Sequence, residues 1–171
     1  RDALLNTVGA LDLTAGGRAV DMTTSPFTTR RTVYGFIERQ NLPGLFRVFD
    51  FASPDTTNPQ RFLTTVPQQA LFMLNSPFAV QQARHFLERS ELKSQPRAEG
   101  RIRSLYQVAY QRDPTGDEVE LALRFIKSQE SLLQTKAKPD PSGPKEASEP
   151  LSPWERFAQV LLMSNEMVFL D

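Results

Sequence analysis

The stretch RTVYGFIERQNLPGLFRVFDFASPDTTNPQRFLTTVPQQALFMLN (residues 31–75) decides how the rest of this 171-residue chain is interpreted. It places apolar segments with helical spacing on either side of a polar segment, residues 50–64, whose prolines disfavour regular structure. Thr65 and Gln68 form a T-x-x-Q capping box in front of the second apolar segment, which ends at Asn75. The pattern predicts helix, polar loop and helix, and it makes the loop the first candidate for a site.

The other apolar segments also have helical spacing, and none alternates strictly over a sustained length. Capping boxes begin at Thr115 and Ser152, each followed three residues later by a glutamate. The fold class is therefore predicted to be all-α: an irregular multi-helix domain of about six to seven helices with long polar loops. Helices are expected over residues 1–11, 30–40, 65–75, 76–90, 102–112 and 115–133 and from 152 onward, with a short helical turn over 45–49.

Length and composition limit the classes of protein. Twenty basic and twenty acidic residues cancel, which argues against a nucleic-acid role, and the absence of cysteine excludes thiolate metal sites and haem attachment within this chain. No apolar run reaches about 18 residues, and no secretory signal is present, so no membrane span is predicted. Because the chain begins at Arg1, in what looks like mid-helix, we expect it to be part of a longer polypeptide.

Domain boundaries follow from a composition change near the C-terminus. Residues 136–150, KAKPDPSGPKEASEP, contain four prolines and only alanine as an apolar residue, so we predict a disordered insert. The main helical domain is then expected over residues 1–135. Residues 151–171 are expected to form a helix that packs back onto that same domain.

Candidate binding residues concentrate in the polar loop. Asp50, Asp55, Asn58 and Arg61 combine two carboxylates, an amide and a guanidinium, which is compatible with Ca²⁺ binding or with acid–base chemistry on glycosides. The alternative is structural: the two aspartates cap turns and pair with nearby arginines. No calcium-loop signature is present, and no catalytic residue or metal ligand is assigned.

Four further features of the sequence are weaker candidates for a site. The helix start at Thr65 to Gln69 offers free N–H groups to an anion, although capping alone explains the pattern. Asn75 ends that helix. His85 is the only histidine, so a two-histidine metal site is excluded. Phe51 and Phe62 lie in the loop and are the aromatic residues to examine for exposure and for stacking on sugars.

The chain resembles a known family through several strings that occur in a fixed order. They are RDALLNTVGALDLTAGG, RRTVYGFIERQNLPGLFRVFDFASPD, RFLTTVPQQALFMLNSPFAVQQAR, YQRDPTGDEVELALRFI and LLMSNEMVFLD. Together they are similar to the planctomycete-specific domain of unknown function found at the C-terminal end of planctomycete cytochrome-c-like proteins. The resemblance covers nearly the whole chain except residues 136–150. It implies export to the periplasm or outside the cell, and a c-type haem elsewhere in the parent polypeptide.

The second half carries a separate pattern. R-x-P-T-x-x-E stands at residues 112–118 and S-N-E-M at residues 164–167, which resembles a helical-hairpin pattern of secreted bacterial proteins with Met in place of the usual Phe. This pattern indicates packing and not chemistry.

Three hypotheses follow for function. The first is a non-catalytic helical interaction or scaffold domain that packs against the preceding domain of its polypeptide, or another partner, through residues 31–75. The second is part of a composite active site for polysaccharide breakdown or an associated redox step, using the loop at residues 50–61. The third is a carbohydrate-binding module that uses exposed Phe51 or Phe62.

Overall fold

The computed structural model describes residues 1–38, 40–55, 57, 59, 67–135 and 150–168, and within them it confirms the all-α class. Nine α-helices and one 3₁₀ turn occur in these residues, more than predicted because several helices are only one turn long. The chain forms two compact units, Arg1–Ala79 (unit 1) and Val80–Asp171 (unit 2). The two units do not test the domain boundaries predicted at residues 135 and 150, which stay predictions. The insert predicted to be disordered, residues 136–150, lies outside the described residues except for Pro150.

Unit 1 contains short helices joined by long connections. Its helices are α1 (Asp2–Thr7), α2 (Gly44–Val48), α3 (Pro67–Asn75) and the first turn of α4 (Pro77–Glu88), with a 3₁₀ turn at Thr32–Tyr34. The buried apolar residues of unit 1 are Leu4, Leu5, Val8, Met22, Phe46, Phe78 and Ala79.

Arginine–carbonyl hydrogen bonds fix the connections of unit 1. Arg1 Nη1 donates to the Arg30 carbonyl at 2.8 Å, and its guanidinium lies 5.2 Å from the centroid of the Phe78 ring. Arg30 donates to the carbonyls of Thr14 and Gly16 and stacks over the Tyr34 ring at 4.3 Å. These contacts order the segment between α1 and the 3₁₀ turn although it contains almost no regular structure.

Glycine at position 17 is required by this arrangement. Gly17 has a φ of +91°, and a Cβ atom there would lie 3.1 Å from Arg30 Nη1. The Gly16-Gly17 pair, with φ values of +76° and +91°, therefore lets the chain bend around an arginine side chain.

The helix predicted over residues 30–40 is wrong. Among the described residues of this stretch (30–38 and 40), helical structure is limited to a 3₁₀ turn at Thr32–Tyr34, and the chain then becomes extended at Gly35. The backbone of Val20 pairs with this segment, because its N–H donates to the Tyr34 carbonyl at 2.9 Å and its carbonyl accepts from Phe36 at 2.8 Å. The predicted apolar face is also exposed, with Val33 at 71% and Phe36 at 58%. Long-range backbone pairing therefore overrides the helical spacing.

Unit 2 is a cluster of longer, amphipathic helices. The rest of α4 is followed by α5 (Ser90–Lys93), α6 (Ala98–Tyr110), α7 (Gly116–Thr135), α8 (Pro153–Met163) and α9 (Asn165–Val168). Helix α6 buries Ile102, Leu105 and Tyr106 on one face. Helices α7 and α8 pack on each other through Phe125 and Phe157, whose ring centroids lie 6.1 Å apart.

Both capping boxes predicted in this half are confirmed. Glu118 accepts from the Thr115 N–H at 2.7 Å, and the Glu118 N–H donates back to Thr115 Oγ1 at 3.3 Å. Ser152 and Glu155 make the same reciprocal pair at the start of α8. The capping box predicted at Thr65 and Gln68 lies partly outside the described residues, because Thr65 is not described. Pro67 is the first described residue of α3.

Two further sequence observations have structural counterparts. His85 is half-buried near the end of α4, at the margin of an amphipathic helix. Within the part of the chain that the structure describes, no helix has both the length and the apolar character needed to cross a bilayer.

Candidate functional site

The predicted loop site is only partly within the described residues. Asp50 follows α2 with a left-handed φ of 53°, and Asp55 is exposed, with its N–H 3.4 Å from Ser53 Oγ. Asn58 and Arg61 lie outside the described residues, as does Thr65. Among the residues that are described, no group of three or more His, Asp or Glu side chains could hold a metal ion. Metal binding and chemistry in this loop stay predictions.

The other two predicted site residues, Gln69 and Asn75, contribute to the position of α3. Gln69 Nε2 donates to the Val48 carbonyl at 3.1 Å, which satisfies an acceptor in the last turn of α2. Asn75 Nδ2 donates to the Leu71 carbonyl one turn earlier at 2.9 Å. Gln69 thus joins α3 to α2, while Asn75 satisfies an acceptor within its own helix.

Helix α3 presents its apolar stripe outward. Pro67, Ala70, Leu71 and Leu74 occupy i, i+3, i+4 and i+7 positions, the spacing that usually faces a core, yet all four are exposed. Leu71 is 56% exposed and Leu74 is 50% exposed, and no residue of the helix is buried. The opposite side of α3 contacts α2, because the Phe72 ring lies edge-on to Phe49 at 5.7 Å. We call Pro67, Ala70, Leu71 and Leu74 the α3 stripe.

The sequence around the α3 stripe carries no charge. Residues 62–83 contain no Asp, Glu, Lys, Arg or His, although Asp, Glu, Lys and Arg together make up 23% of the whole chain. Ordinary exposed helix faces carry charged side chains, whereas the centres of protein–protein interfaces are depleted in them. An exposed, uncharged, apolar helix is therefore a feature typical of an interaction surface.

A cleft of about 420 Å³ lies within unit 1 beside α3. Thr23, Asn75 and Ser76 contribute its polar atoms, and Gly44 contributes backbone at the start of α2. Its apolar walls are formed by Met22, Phe27, Leu45, Phe72, Pro77 and Phe78. No lining side chain is charged, and the volume is within the range of about 300–1,000 Å³ that is typical of ligand pockets.

The wall of the cleft at residues 22–27 is fixed by the preceding aspartate. Hydrogen bonds from the Thr24 hydroxyl, from the Thr23 N–H and from the Thr23 hydroxyl lower the pKa of Asp21 to about 2. The two Thr23 bonds measure 2.7 Å each. The Ser25–Pro26 peptide bond is cis, and the Phe27 ring meets the Phe78 ring edge-on at 5.6 Å. The hydrogen bonds of Asp21 and the contact between Phe27 and Phe78 therefore hold this wall of the cleft in place.

A cluster of three paired charges lies in unit 2, at the R-x-P-T-x-x-E and S-N-E-M patterns. Arg112 pairs with Glu118 Oε1 at 2.7 Å and with Glu166 Oε1 at 2.6 Å, which ties the start of α7 to α9. Hydrogen bonds from Arg112 lower the pKa of Glu118 to about 2 and also lower the pKa of Glu166. Every charge has a partner, so we interpret the cluster as a structural clamp.

Tyr110 extends this clamp to α8. Its hydroxyl donates to the Leu161 carbonyl at 3.0 Å and lies 2.8 Å from Ser164 Oγ. Burial raises the pKa of Tyr110 to about 12, so the hydroxyl stays protonated. The two sequence patterns thus mark packing between helix ends, as the resemblance to a helical-hairpin pattern implied.

Sequence reasoning missed both the cleft and the exposure of α3. The cleft combines residues from 22–27, 44–45 and 72–78, and no local pattern shows that these segments meet. One signal was available for α3: an apolar helix inside a long charge-free segment has no charged face with which to contact water.

Residues 1–126 of the chain match the model of a family described as PSD1, protein of unknown function (DUF1553). The match spans the whole of unit 1 and continues through α6 into α7. No curated protein and no solved structure matches the chain.

Proposed function

This chain belongs to the PSD1 family of proteins of unknown function (DUF1553), whose description names no activity, and we propose that the chain is a non-catalytic interaction domain. In this proposal the α3 stripe is the centre of the contact surface. The observation that carries the proposal is the outward stripe on a helix with no buried residue.

The amount of exposed apolar surface supports a macromolecular partner. Among the described residues, unit 1 exposes seven large apolar side chains and unit 2 exposes three. Six of those seven lie between residues 33 and 74, the region that the sequence predicted as a contact surface. Transfer of such side chains from water into an interface contributes roughly 25 cal/mol per Å² of apolar area.

The proposed partner is the preceding domain of the same polypeptide. This choice rests on the family resemblance, which also implies that the larger protein is exported and carries a c-type haem outside this chain. The sequence upstream of Arg1 tests both points, because it should contain a secretory signal and a C-x-x-C-H motif.

Calorimetric titration of this chain with that preceding domain tests the contact surface. Replacement of both Leu71 and Leu74 by Glu should weaken binding by about 30-fold or more, because two carboxylates would have to be desolvated in the interface. The fold should tolerate the change, because both side chains are at least half exposed.

The matched control is the double substitution of Leu121 and Leu132 by Glu in unit 2. These leucines are 60% and 50% exposed, close to the values for Leu71 and Leu74, and they also lie on a helix. The control should bind as the unaltered chain does, within about threefold. Equal loss in both double variants, or no binding by the unaltered chain, would contradict the proposal.

A further inference from the structure

The segment between α1 and the 3₁₀ turn, residues 10–31, is described throughout and contains no helix, yet its Met22 and Phe27 belong to one wall of the cleft. We propose that this segment, which we call the strap, opens and closes over the cleft as one body. In its closed position the strap is held by two side chains at the start of α1, those of Arg1 and Asp2. This movement changes the shape of unit 1 whichever partner the α3 stripe binds.

Arg1 and Asp2 attach α1 to the C-terminal end of the strap. The Asp2 carboxylate accepts from the Thr32 N–H at 2.8 Å and also from the Thr32 hydroxyl, across 30 residues of chain. The Arg1 guanidinium donates to the carbonyls of Thr28 and Arg30. Because the Arg1 side chain is only 5% exposed, water competes poorly for these acceptors. Hydrogen bonds to charged groups contribute more than neutral ones, so the two side chains form a strong attachment.

Further hydrogen bonds connect the first half of the strap to its second half and to the 3₁₀ turn. The Arg30 guanidinium donates to three backbone carbonyls within residues 14–18. The Gly16 N–H donates to the Tyr34 hydroxyl at 3.0 Å, and the Val20 N–H donates to the Tyr34 carbonyl at 2.9 Å. Each bond requires the chain at Arg30 or Tyr34 to be in place, which is where the two side chains of α1 act. Release of that attachment therefore frees the strap as a whole and not residue by residue.

Apolar burial contributes little to the closed position of the strap. Of residues 10–31, only Met22 is buried, and Leu13 is 73% exposed. Met22 packs against the chain at Gly35, where an added Cβ atom would come within 2.8 Å of the Met22 Sδ atom. Segments with few buried apolar contacts are the ones that open locally while the rest of a protein stays folded. The polar attachment at α1 is therefore the main interaction that keeps the strap closed.

Opening of the strap enlarges the apolar surface of unit 1. Phe27 leaves with the strap, whereas Leu45 and Phe72 stay on α2 and α3. Phe78 is only 7% exposed in the closed position, and its ring centroid lies 5.6 Å from that of Phe27. This contact is lost when the strap opens, so the Phe78 ring becomes accessible. The closed strap thus limits the exposed apolar area of unit 1.

Native-state hydrogen exchange followed by NMR tests the strap in the unaltered chain. The N–H groups of Asp12, Val20 and Phe36 each donate to a backbone carbonyl in another segment of the chain. Because the strap opens as one body, their protection factors should agree within about threefold. They should also be at least about tenfold lower than that of the buried Ile102 in α6. A wider spread among the three amides, or values as high as that of Ile102, would overturn the proposal.

Asp2→Asn tests the attachment at α1. It removes the negative charge that accepts from Thr32, so the shared protection factor should fall about tenfold or more, while that of Ile102 should change by no more than about twofold. Asp12→Asn is the matched control, because Asp12 lies in the strap and accepts at 2.9 Å from the Thr14 N–H only two residues away. The control should change the shared protection factor by less than about threefold.

Three outcomes would contradict the attachment by Asp2. Equal effects of the two substitutions would mean that loss of a charge near the strap, and not the contact with α1, causes the change. A change confined to the Thr32 amide would mean that the strap does not move as one body. An equal loss of protection at Ile102 would mean that Asp2→Asn destabilises the whole chain. If Asp2→Asn does not fold, the three amides of the unaltered chain decide the question.

Discussion

Unit 2 and unit 1 use their apolar residues in opposite ways. In unit 2, α6 and α7 are 13 and 20 residues long and direct their apolar stripes into a shared core. In unit 1, α2 and α3 are 5 and 9 residues long, and the stripe of α3 faces outward. The same helical spacing therefore stabilises the fold in one unit and remains available for contact in the other.

The polar interactions of the two units also differ. Unit 2 uses side-chain pairs such as Arg112 with Glu118 to connect helix ends that already pack together. Unit 1 uses Arg1 and Arg30 to bind backbone carbonyls of segments that have little regular structure. Backbone carbonyls outside helices and sheets lack regular hydrogen-bond partners, and a guanidinium with five donors can supply several of them. A region ordered in this way keeps its shape without burying all of its apolar side chains.

The largest difference should be measured between Ile102→Ala in unit 2 and Leu71→Ala in unit 1. Ile102 is completely buried, so its truncation should lower the free energy of unfolding by about 2–5 kcal/mol. Leu71 is more than half exposed, so its truncation should change the same quantity by no more than about 0.5 kcal/mol.

Urea denaturation followed by two signals checks this pair. Trp154, the only tryptophan, lies in the first turn of α8 and reports on unit 2, whereas far-ultraviolet circular dichroism reports on all helices. A loss of stability in Leu71→Ala comparable to that in Ile102→Ala would mean that the α3 stripe is part of a core. That result would remove the contrast between the units.

Sequence patterns were sufficient for most of unit 2 because its determinants are local. Ser152 and Glu155 are three residues apart, and the apolar residues of α8 repeat within the same helix. Residues 30–40 had comparable spacing and were predicted wrongly. The pairing of Val20 with Tyr34 and Phe36 joins residues 14 or more positions apart, and no local pattern encodes it.

The candidate site was predicted only in part for the same reason. Asn75 was singled out by its position at a helix end, and it lines the cleft. Met22 and Phe27 were not identified as site residues, because only the folded chain brings them to Phe72 and Phe78. Helical periodicity identifies which residues share a face, but it does not say whether that face meets a core or water.

A smaller effect is expected from Arg112→Gln, which removes both ion pairs of the clamp in unit 2. The hydrogen-bonded pairs are well oriented but partly exposed, so the free energy of unfolding should fall by about 1–2 kcal/mol. Arg124→Gln is the control, because the Arg124–Glu120 pair spans 3.8 Å with both side chains about 70% exposed. It should cost no more than about 0.5 kcal/mol. Equal effects would show that the clamp contributes no more than an ordinary surface pair.

The difference in the free energy of unfolding between the unaltered chain and Arg112→Gln should depend on pH. This dependence should be the smallest effect and also the most specific to unit 2. The pKa of Glu118 is lowered from 4.5 to about 2 by Arg112, so the unfolded chain takes up this proton first as the pH falls. The stabilisation from Arg112 is therefore fully present above about pH 4.5 and is lost as the pH falls through about 2. Urea denaturation at several pH values, monitored by Trp154 fluorescence, should show the gap between the unaltered chain and Arg112→Gln narrowing towards pH 2. Arg124→Gln should show no such narrowing. If the difference between the unaltered chain and Arg112→Gln stays constant with pH, Arg112 stabilises unit 2 by packing on Tyr106 and Tyr110 and not by its charge.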